Sequence, residues 1–262
     1  MSARLTRPLP IEPIRFGKVA DLYDHYVRVD FDIDFFLNEA KKAGGKVLEL
    51  TSGTGRVSIP LIRAGIDLTC VDYSREMLAV LQWKLKRNGL TCNVVEMDIT
   101  QLSLGEKFNL ILIPFNSFSE IIEPRKHKWA IERIHSHLAH AGRFICTLQN
   151  PRIRTQALDG KKRLVGRFPI DTGAVLVVNS VLTYDPITQI ARGVQRFEVY
   201  DKTEHLLFGR NLDIAFYLFN KKEFEELASA AGFRIDAVYG DYDYSPFDED
   251  RSPSMIWILG RD

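Results

Sequence analysis

The stretch Val47-Leu48-Glu49-Leu50-Thr51-Ser52-Gly53-Thr54-Gly55-Arg56 decides the fold of this chain. An apolar run that contains Glu49 predicts a buried strand, and a turn of small residues follows it at once. A helical pattern then begins at Val57. Small residues let the backbone approach a ligand closely, and the start of a helix offers free N–H groups. This order predicts an open parallel α/β sheet that binds a nucleotide-like cofactor at the turn.

The next strand narrows the choice of cofactor. Residues 66–73 predict a short strand ending near Asp72, about 20 positions beyond the turn, where a carboxylate can accept hydrogen bonds from a ribose diol. A dinucleotide-binding turn needs a third glycine, but Ser58 stands at that position. Glu49 would also be poorly placed beside a pyrophosphate. The pattern therefore disfavours a nicotinamide dehydrogenase, which remains a distant alternative.

Five motifs in order resemble those of the class I S-adenosylmethionine-dependent methyltransferases. Residues 49–55 resemble the first motif, E/D-x-G-x-G-x-G, with Thr51 in place of one glycine. The other four matches are residues 71–74, 97–99, 108–116 and 138–145, the last with His140 for the usual proline and Ala141 for a glycine. The resemblance covers roughly residues 20 to 150 and resumes near residue 215.

The resemblance implies a cofactor and its contacts. It implies S-adenosylmethionine as methyl donor and S-adenosylhomocysteine as product. In the family, the residue at Asp72 holds the ribose, and those at Asp98 and Ile99 hold the adenine. The full set of predicted cofactor-binding residues is Tyr23, Glu49, Thr51, Gly53, Gly55, Asp72, Tyr73, Asp98, Ile99 and Phe115.

The catalytic group is not determined by the sequence. Displacement at a sulfonium needs alignment more than it needs a base, because the leaving group is already activated. Candidates are Asn116 after the fourth strand, Tyr23 on the N-terminal helix and His205 in a later β-rich region.

The histidines give no sign of a metal site. His127, His135, His137 and His140 lie on one predicted helix, residues 126–140, without a metal-binding spacing. We therefore expect surface or helix-end positions for them and no metal.

Composition excludes several other classes of protein. With 262 residues, a formal net charge of +1 and 45% hydrophobic residues, the chain shows no global bias toward nucleic acid. No apolar run reaches the roughly 18 residues of a membrane span, and residues 1–20 lack a signal-peptide pattern. Three scattered cysteines suit a reducing compartment. We expect a cytoplasmic protein that acts on a small molecule, without nucleic-acid or membrane partners.

The pattern along the chain predicts an α/β fold: a Rossmann-like, seven-stranded methyltransferase sheet with an antiparallel β insertion after strand five. The predicted units are a mobile arm (1–16), a core (17–150 and 218–262) and a β-rich insertion (151–217) that serves as a lid or a dimer element. A single helix is expected over residues 19–43, and the basic triplet 161–163 is expected in a loop. The insertion should contain three to five strands, two of them at residues 174–178 and 180–184.

The preferred function is methyl transfer to an N or O atom of a small molecule by in-line displacement in a closed site. One alternative is a methyltransferase that acts on RNA or protein, with the insertion as its docking surface. Another is a non-catalytic module that binds S-adenosylmethionine.

Overall fold

The computed structural model describes residues 12–170 and 173–261, so residues 1–11 of the predicted arm lie outside the described residues. The strands are β1 (Val47–Leu50), β2 (Leu68–Asp72), β3 (Asn93–Glu96), β4 (Phe108–Ile113), β5 (Leu138–Gln149), β6 (Asp159–Pro169), β7 (Val175–Asp185), β8 (Ile190–Tyr200), β9 (Leu206–Tyr217), β10 (Arg234–Tyr239) and β11 (Ser254–Gly260). The helices are α1 (Ala20–Tyr26), α2 (Ile33–Ala43), α3 (Ser58–Arg63), α4 (Arg75–Arg87), α5 (Pro124–His137), α6 (Pro151–Arg154) and α7 (Lys221–Ala230).

The main sheet has the strand order β10-β11-β5-β4-β1-β2-β3, which confirms the predicted seven-stranded fold. β1 pairs in parallel with both β2 and β4, whereas β11 is antiparallel to its two neighbours. The chain builds outward from β1 to β3 and then returns to β4 on the other side. The order therefore reverses between β1 and β4, which is where open α/β sheets bind ligands.

Alternating side chains give the sheet two buried faces. Leu48 and Ile111 belong to a core cluster that includes apolar residues of α5 and α7. Val47 and Leu110 belong to a second cluster with residues of α2, α3 and α4. Burial on both faces explains why the central strands are almost uninterrupted apolar runs.

The predicted single helix over residues 19–43 is wrong in its middle. The structure has a 3₁₀ turn (Phe16–Val19), then α1, and an irregular segment at residues 27–32 before α2 begins. Asp32 in this segment is fully buried against Arg56. A continuous helix would not leave the segment free to make that contact. The predicted end of the helix is confirmed, because Gly44 ends α2 in the left-handed region with φ 62°.

A second, antiparallel sheet has the order β6-β7-β8-β9 and follows β5, as predicted. Two details of the prediction are wrong. The basic triplet at residues 161–163 lies in β6 and not in a loop, and the two short strands at 174–184 are one strand, β7. β6 is an edge strand whose exposed charges discourage pairing with another chain, so charge does not argue against a strand there.

The expectation of surface or helix-end histidines is wrong for His127, which lies inside α5, whereas His137 does end that helix. His127 and His137 are buried on α5. The ring of His127 packs 4.6 Å from that of Phe219, and the Nε2 atom of His137 accepts a hydrogen bond from the Leu104 N–H at 2.9 Å. Packing and a backbone donor stabilise these rings inside the protein. None of the helices in the described ranges is long and apolar enough to cross a membrane.

The conformation of Gly55 yields a stability prediction. Its φ is +86°, and a Cβ atom there would lie 2.4 Å from Cδ1 of Leu81, a fully buried residue of α4. Gly65 is a matched control, since its φ is +80° but nothing lies within 4 Å of its would-be Cβ. We expect Gly55→Ala to lower the free energy of unfolding by about 1–3 kcal/mol more than Gly65→Ala, because only the former adds overpacking to backbone strain. Urea denaturation measures both losses, and equal values would contradict the close approach of the turn to α4.

Candidate functional site

Three adjoining cavities open at the carboxyl ends of β1 and β4. The loop cavity lies over the small-residue turn and is lined by Glu49, residues 51–54, Arg56 and Phe115, among others. The Asp98 cavity is lined by Tyr73, Asp98, Ile99 and Glu120, among others. The inter-sheet cavity, of about 330 Å³, lies between the main sheet and the second sheet. Ser117 lines all three, so the cavities meet beside the 3₁₀ turn Ser117–Glu120 that follows β4.

Asp72 fixes the small-residue turn to the end of β2. Its Oδ2 atom accepts a hydrogen bond from the Gly53 N–H, and its Oδ1 atom accepts one from the Ser74 N–H, both at 2.8 Å. Burial raises the pKa of Asp72 while these N–H groups oppose the shift. Each carboxylate oxygen has a further lone pair, so the side chain can still accept from a diol.

Glu49 is buried under the same turn. It is 1% exposed, and the Ser58 hydroxyl donates to its Oε2 atom at 2.6 Å. Burial raises the pKa of Glu49 to about 8, since removal from water disfavours the charged form. The carboxyl group lines the loop cavity, where it can hold or release a proton according to the charge of a neighbouring ligand.

Arg56 connects three parts of the site. Its two terminal nitrogens donate to the two oxygens of Asp32 at 2.5 and 2.6 Å, and one of them also donates to the Val29 carbonyl at 3.0 Å. The guanidinium carbon lies 4.7 Å from the centre of the Phe115 ring. The turn after β1, the segment before α2 and the loop after β4 therefore meet at one side chain.

Eight of the ten predicted cofactor-binding residues line the loop cavity or the Asp98 cavity: Tyr23, Glu49, Thr51, Gly53, Tyr73, Asp98, Ile99 and Phe115. Of the other two, Asp72 accepts a hydrogen bond from the Gly53 N–H, and Gly55 lies close to Leu81 of α4. The ligand contacts themselves stay predictions, although the sequence motifs have brought the side chains to one place.

The three catalytic candidates have different surroundings. Tyr23 lines both the loop and the inter-sheet cavities, and burial raises its pKa. Asn116 lines the inter-sheet cavity, and its Oδ1 atom has no hydrogen-bond partner among the described residues. His205 lies in the turn between β8 and β9, where its side chain is 81% exposed and contacts Thr203, and it lines none of the three cavities. Its position offers no route to a ligand between the sheets.

Glu120 and Arg154 were missed by the sequence analysis. Glu120 ends the 3₁₀ turn after β4 and lines both the Asp98 and the inter-sheet cavities. Arg154 ends α6 and lines the inter-sheet cavity, with its guanidinium 5.5 Å from the centre of the Phe216 ring. Neither residue belongs to a motif, and only the folded chain brings them to the site.

Comparison with known proteins agrees with the motifs. Residues 47–142 match the family model described as a methyltransferase domain. This part of the chain is therefore similar to methyltransferase domains, in agreement with the resemblance of the motifs. A glycine/sarcosine N-methyltransferase of Aphanothece halophytica is 30% identical over 133 residues, which are 50% of each chain. The match thus spans about half the length of that relative.

Two further similarities extend over most of this chain. The cypemycin N-terminal methyltransferase of a Streptomyces species is 28% identical over 219 residues, which cover 83% of this chain and 84% of the relative. The structure of the CcbJ methyltransferase from Streptomyces caelestis superposes with a TM-score of 0.78 and 21% identity, covering 96% of this chain and all of the other. The second similarity shows a shared fold that includes the second sheet.

The buried Arg56–Asp32 pair gives a stability prediction. Asp32 is fully buried, so Arg56→Leu would leave its charge without its partner, and we expect a loss of about 3–5 kcal/mol in the free energy of unfolding. The double variant Arg56→Leu/Asp32→Leu should be more stable than Arg56→Leu alone, because no unpaired charge remains. Lys84→Leu is the control. Its partner Asp24 is 37% exposed, so this variant should lose much less free energy of unfolding. Chemical denaturation of all four proteins checks this, and a double variant no more stable than Arg56→Leu would contradict it.

The raised pKa of Glu49 predicts how stability depends on pH. The folded state holds this proton up to a pKa of about 8, whereas the unfolded chain releases it near the ordinary glutamate value. The contribution of this proton to the free energy of unfolding is therefore full at low pH and is lost as the pH rises through about 8. We expect Glu49→Gln to reduce the fall in unfolding free energy between pH 5.5 and 8.5, measured by denaturation at several pH values. The exposed Glu226→Gln should leave the fall unchanged, and an identical fall in Glu49→Gln would refute the assignment.

Proposed function

We propose that this protein transfers the methyl group of S-adenosylmethionine to an N or O atom of a small molecule. The observation that carries the proposal is the meeting of three cavities at Ser117, where the turns after β1 and β4 converge. Two cavities would hold the methyl donor and the third the acceptor.

The residues around the loop and Asp98 cavities suit S-adenosylmethionine. Asp72 has spare acceptor capacity for ribose hydroxyls, and Asp98 lies at a cavity wall beside Ile99, where the family motif expects adenine. The Ser52 hydroxyl is buried, lines the loop cavity and has no partner among the described residues, so it is free for the methionyl group. The bound cofactor would supply a methyl group on an already activated sulfur.

The inter-sheet cavity suits the acceptor. Its volume lies at the lower end of the range for small-molecule sites, about 300–1,000 Å³. Each strand of the second sheet contributes to its wall: Val165 from β6, Leu182 from β7, Gln195 from β8, and Ile214 and Phe216 from β9. This supports a lid role for the insertion, which would exclude water from the methyl-transfer step. A dimer role and a cytoplasmic location stay predictions.

Methyl transfer here would depend mainly on alignment. The guanidinium of Arg56, paired with the buried Asp32, lies over Phe115, and Phe115 lines both the loop and the inter-sheet cavities. Tyr23 also lines both cavities. These rings would keep acceptor and donor in line and shield them from water. One relative is a glycine/sarcosine N-methyltransferase and the other is the cypemycin N-terminal methyltransferase, which favours a nitrogen acceptor.

Calorimetric titration with S-adenosylmethionine and S-adenosylhomocysteine tests the cofactor. We expect binding by the wild type and a loss of about 10-fold or more in Asp72→Asn, because an amide accepts hydrogen bonds from a diol less well than a carboxylate. Asp67→Asn is the matched control. Asp67 is exposed just before β2, so this variant should bind both ligands as the wild type does. Thermal unfolding verifies that the variants are folded. If folded wild-type protein binds neither ligand, the proposed function is wrong, and NAD becomes the next ligand to test.

A further inference from the structure

Glu120 is a carboxylate placed between two cavities without a protein partner. It lines both the Asp98 and the inter-sheet cavities, and none of the described residues hydrogen bonds or ion pairs with it. Enclosure by the protein, reinforced by nearby Asp72, raises its pKa to about 8. A sheltered carboxylate without a partner is costly, and such groups cluster at functional sites.

The surroundings of Glu120 are rich in unpaired oxygen atoms. Ser119 is only 3% exposed, and its hydroxyl has no hydrogen-bond partner among the described residues. The Oδ1 atom of Asn116 also lacks a partner there. Both residues line the inter-sheet cavity with Glu120. Three neighbouring oxygen-bearing side chains without donors match a ligand that carries several N–H donors and a positive charge. An ammonium group has these properties.

Other charged and titratable groups near Glu120 leave room for a cation. Arg154 is the one cationic side chain among the described residues of the inter-sheet cavity, and its guanidinium lies by Phe216 on α6's side of the cavity. Lys126 lines the Asp98 cavity but is paired with Glu123 at 2.6 Å. The remaining titratable groups that line these two cavities are acids or phenols: Asp98 after β3, Glu123 before α5, Tyr23 and Tyr26 on α1, and Tyr73 after β2. Asp72, at the end of β2, adds a further acid nearby. The field around Glu120 therefore favours a positively charged ligand.

We propose that the acceptor is a primary or secondary amine, and that Glu120 binds its ammonium form and removes the proton before methyl transfer. This inference rests on the proposed function and specifies its acceptor. An N–H bond breaks, and the proton moves to a Glu120 oxygen, leaving the lone pair on nitrogen. That pair forms the new N–C bond while the C–S bond breaks and its electrons stay on sulfur. The product leaves as a methylated ammonium, and Glu120 later releases its proton to water.

The first experiment measures binding, without turnover. Wild-type protein saturated with S-adenosylhomocysteine is titrated with matched probes that differ in one group: benzylamine and benzyl alcohol, sarcosine and glycolate, glucosamine and glucose. We expect at least one amine to bind and its hydroxyl counterpart to bind about 10- to 100-fold more weakly. Glu120→Gln should lose this preference and retain its affinity for S-adenosylhomocysteine. Glu132→Gln is the matched control, because Glu132 lies on α5, is 47% exposed, pairs with Lys128 and lines none of the three cavities.

The second experiment follows S-adenosylhomocysteine release with S-adenosylmethionine and the amine that binds. We expect Glu120→Gln to lower kcat/KM by about 100-fold or more, Glu120→Asp to recover part of it, and Glu132→Gln to resemble wild type. In wild type the rate should rise with pH as the Glu120 carboxylate forms, and in Glu120→Gln this rise should move to the higher pH at which the amine loses its proton to water.

Three results would overturn the inference. One is a loss of S-adenosylhomocysteine affinity in Glu120→Gln that is as large as its loss of amine affinity, which would assign Glu120 to the cofactor site. Another is binding or turnover of the hydroxyl probes at the level of the amines. The third is binding of none of the amines by protein that does bind S-adenosylhomocysteine. Failure of the protein to bind S-adenosylhomocysteine at all is a different outcome, because it would overturn the proposed function itself.

Discussion

The bidentate pair between Arg56 and Asp32 is the constraint on which the site depends. Asp32 is fully buried, so its charge requires a partner, and Arg56 supplies one from the turn after β1. The same guanidinium lies over Phe115 in the loop after β4. The guanidinium is planar and always charged, and it contacts both Asp32 and Phe115. These contacts therefore fix the relative arrangement of three segments: the turn after β1, the loop after β4 and the segment between α1 and α2. Residues of the loop after β4 line all three cavities, so its arrangement shapes each of them.

The sequence predicted the sheet and much of its upper edge because those features depend on local patterns. Apolar runs of strand length alternate with helical periodicity, and the turn at residues 51–55 carries glycines where positive φ is needed, at Gly53 and Gly55. Asp72 could be predicted since a carboxylate after β2 faces the turn after β1 in any sheet of this order. These rules connect residues within one βαβ unit, so no knowledge of distant packing was required.

Other parts of the site depend on contacts between distant segments. The break at residues 27–32 exists because Asp32 meets Arg56, and periodicity alone continues the helix through it. Glu120 is one acidic residue in a 3₁₀ turn, a pattern shared by many surface turns. Only the second sheet, 40 or more residues later in the chain, encloses the cavity it faces. The charged residues of β6 likewise resemble a loop until their pairing with β7 is known.

The two sides of the site have different chemistry, and this difference argues for how the protein discriminates among acceptors. The turns at β1 and β4 present backbone groups and carboxylates that any member of the fold could use for the same cofactor. The second sheet contributes mainly apolar wall residues, which measure shape but separate similar molecules by only modest factors. An unpaired, sheltered charge discriminates much more strongly, because it rejects any ligand that cannot pair with it. Glu120 stands where these two sides meet, so in the proposed reaction the strongest selection for the acceptor's chemistry would act next to the bond that forms, while the second sheet would select for size.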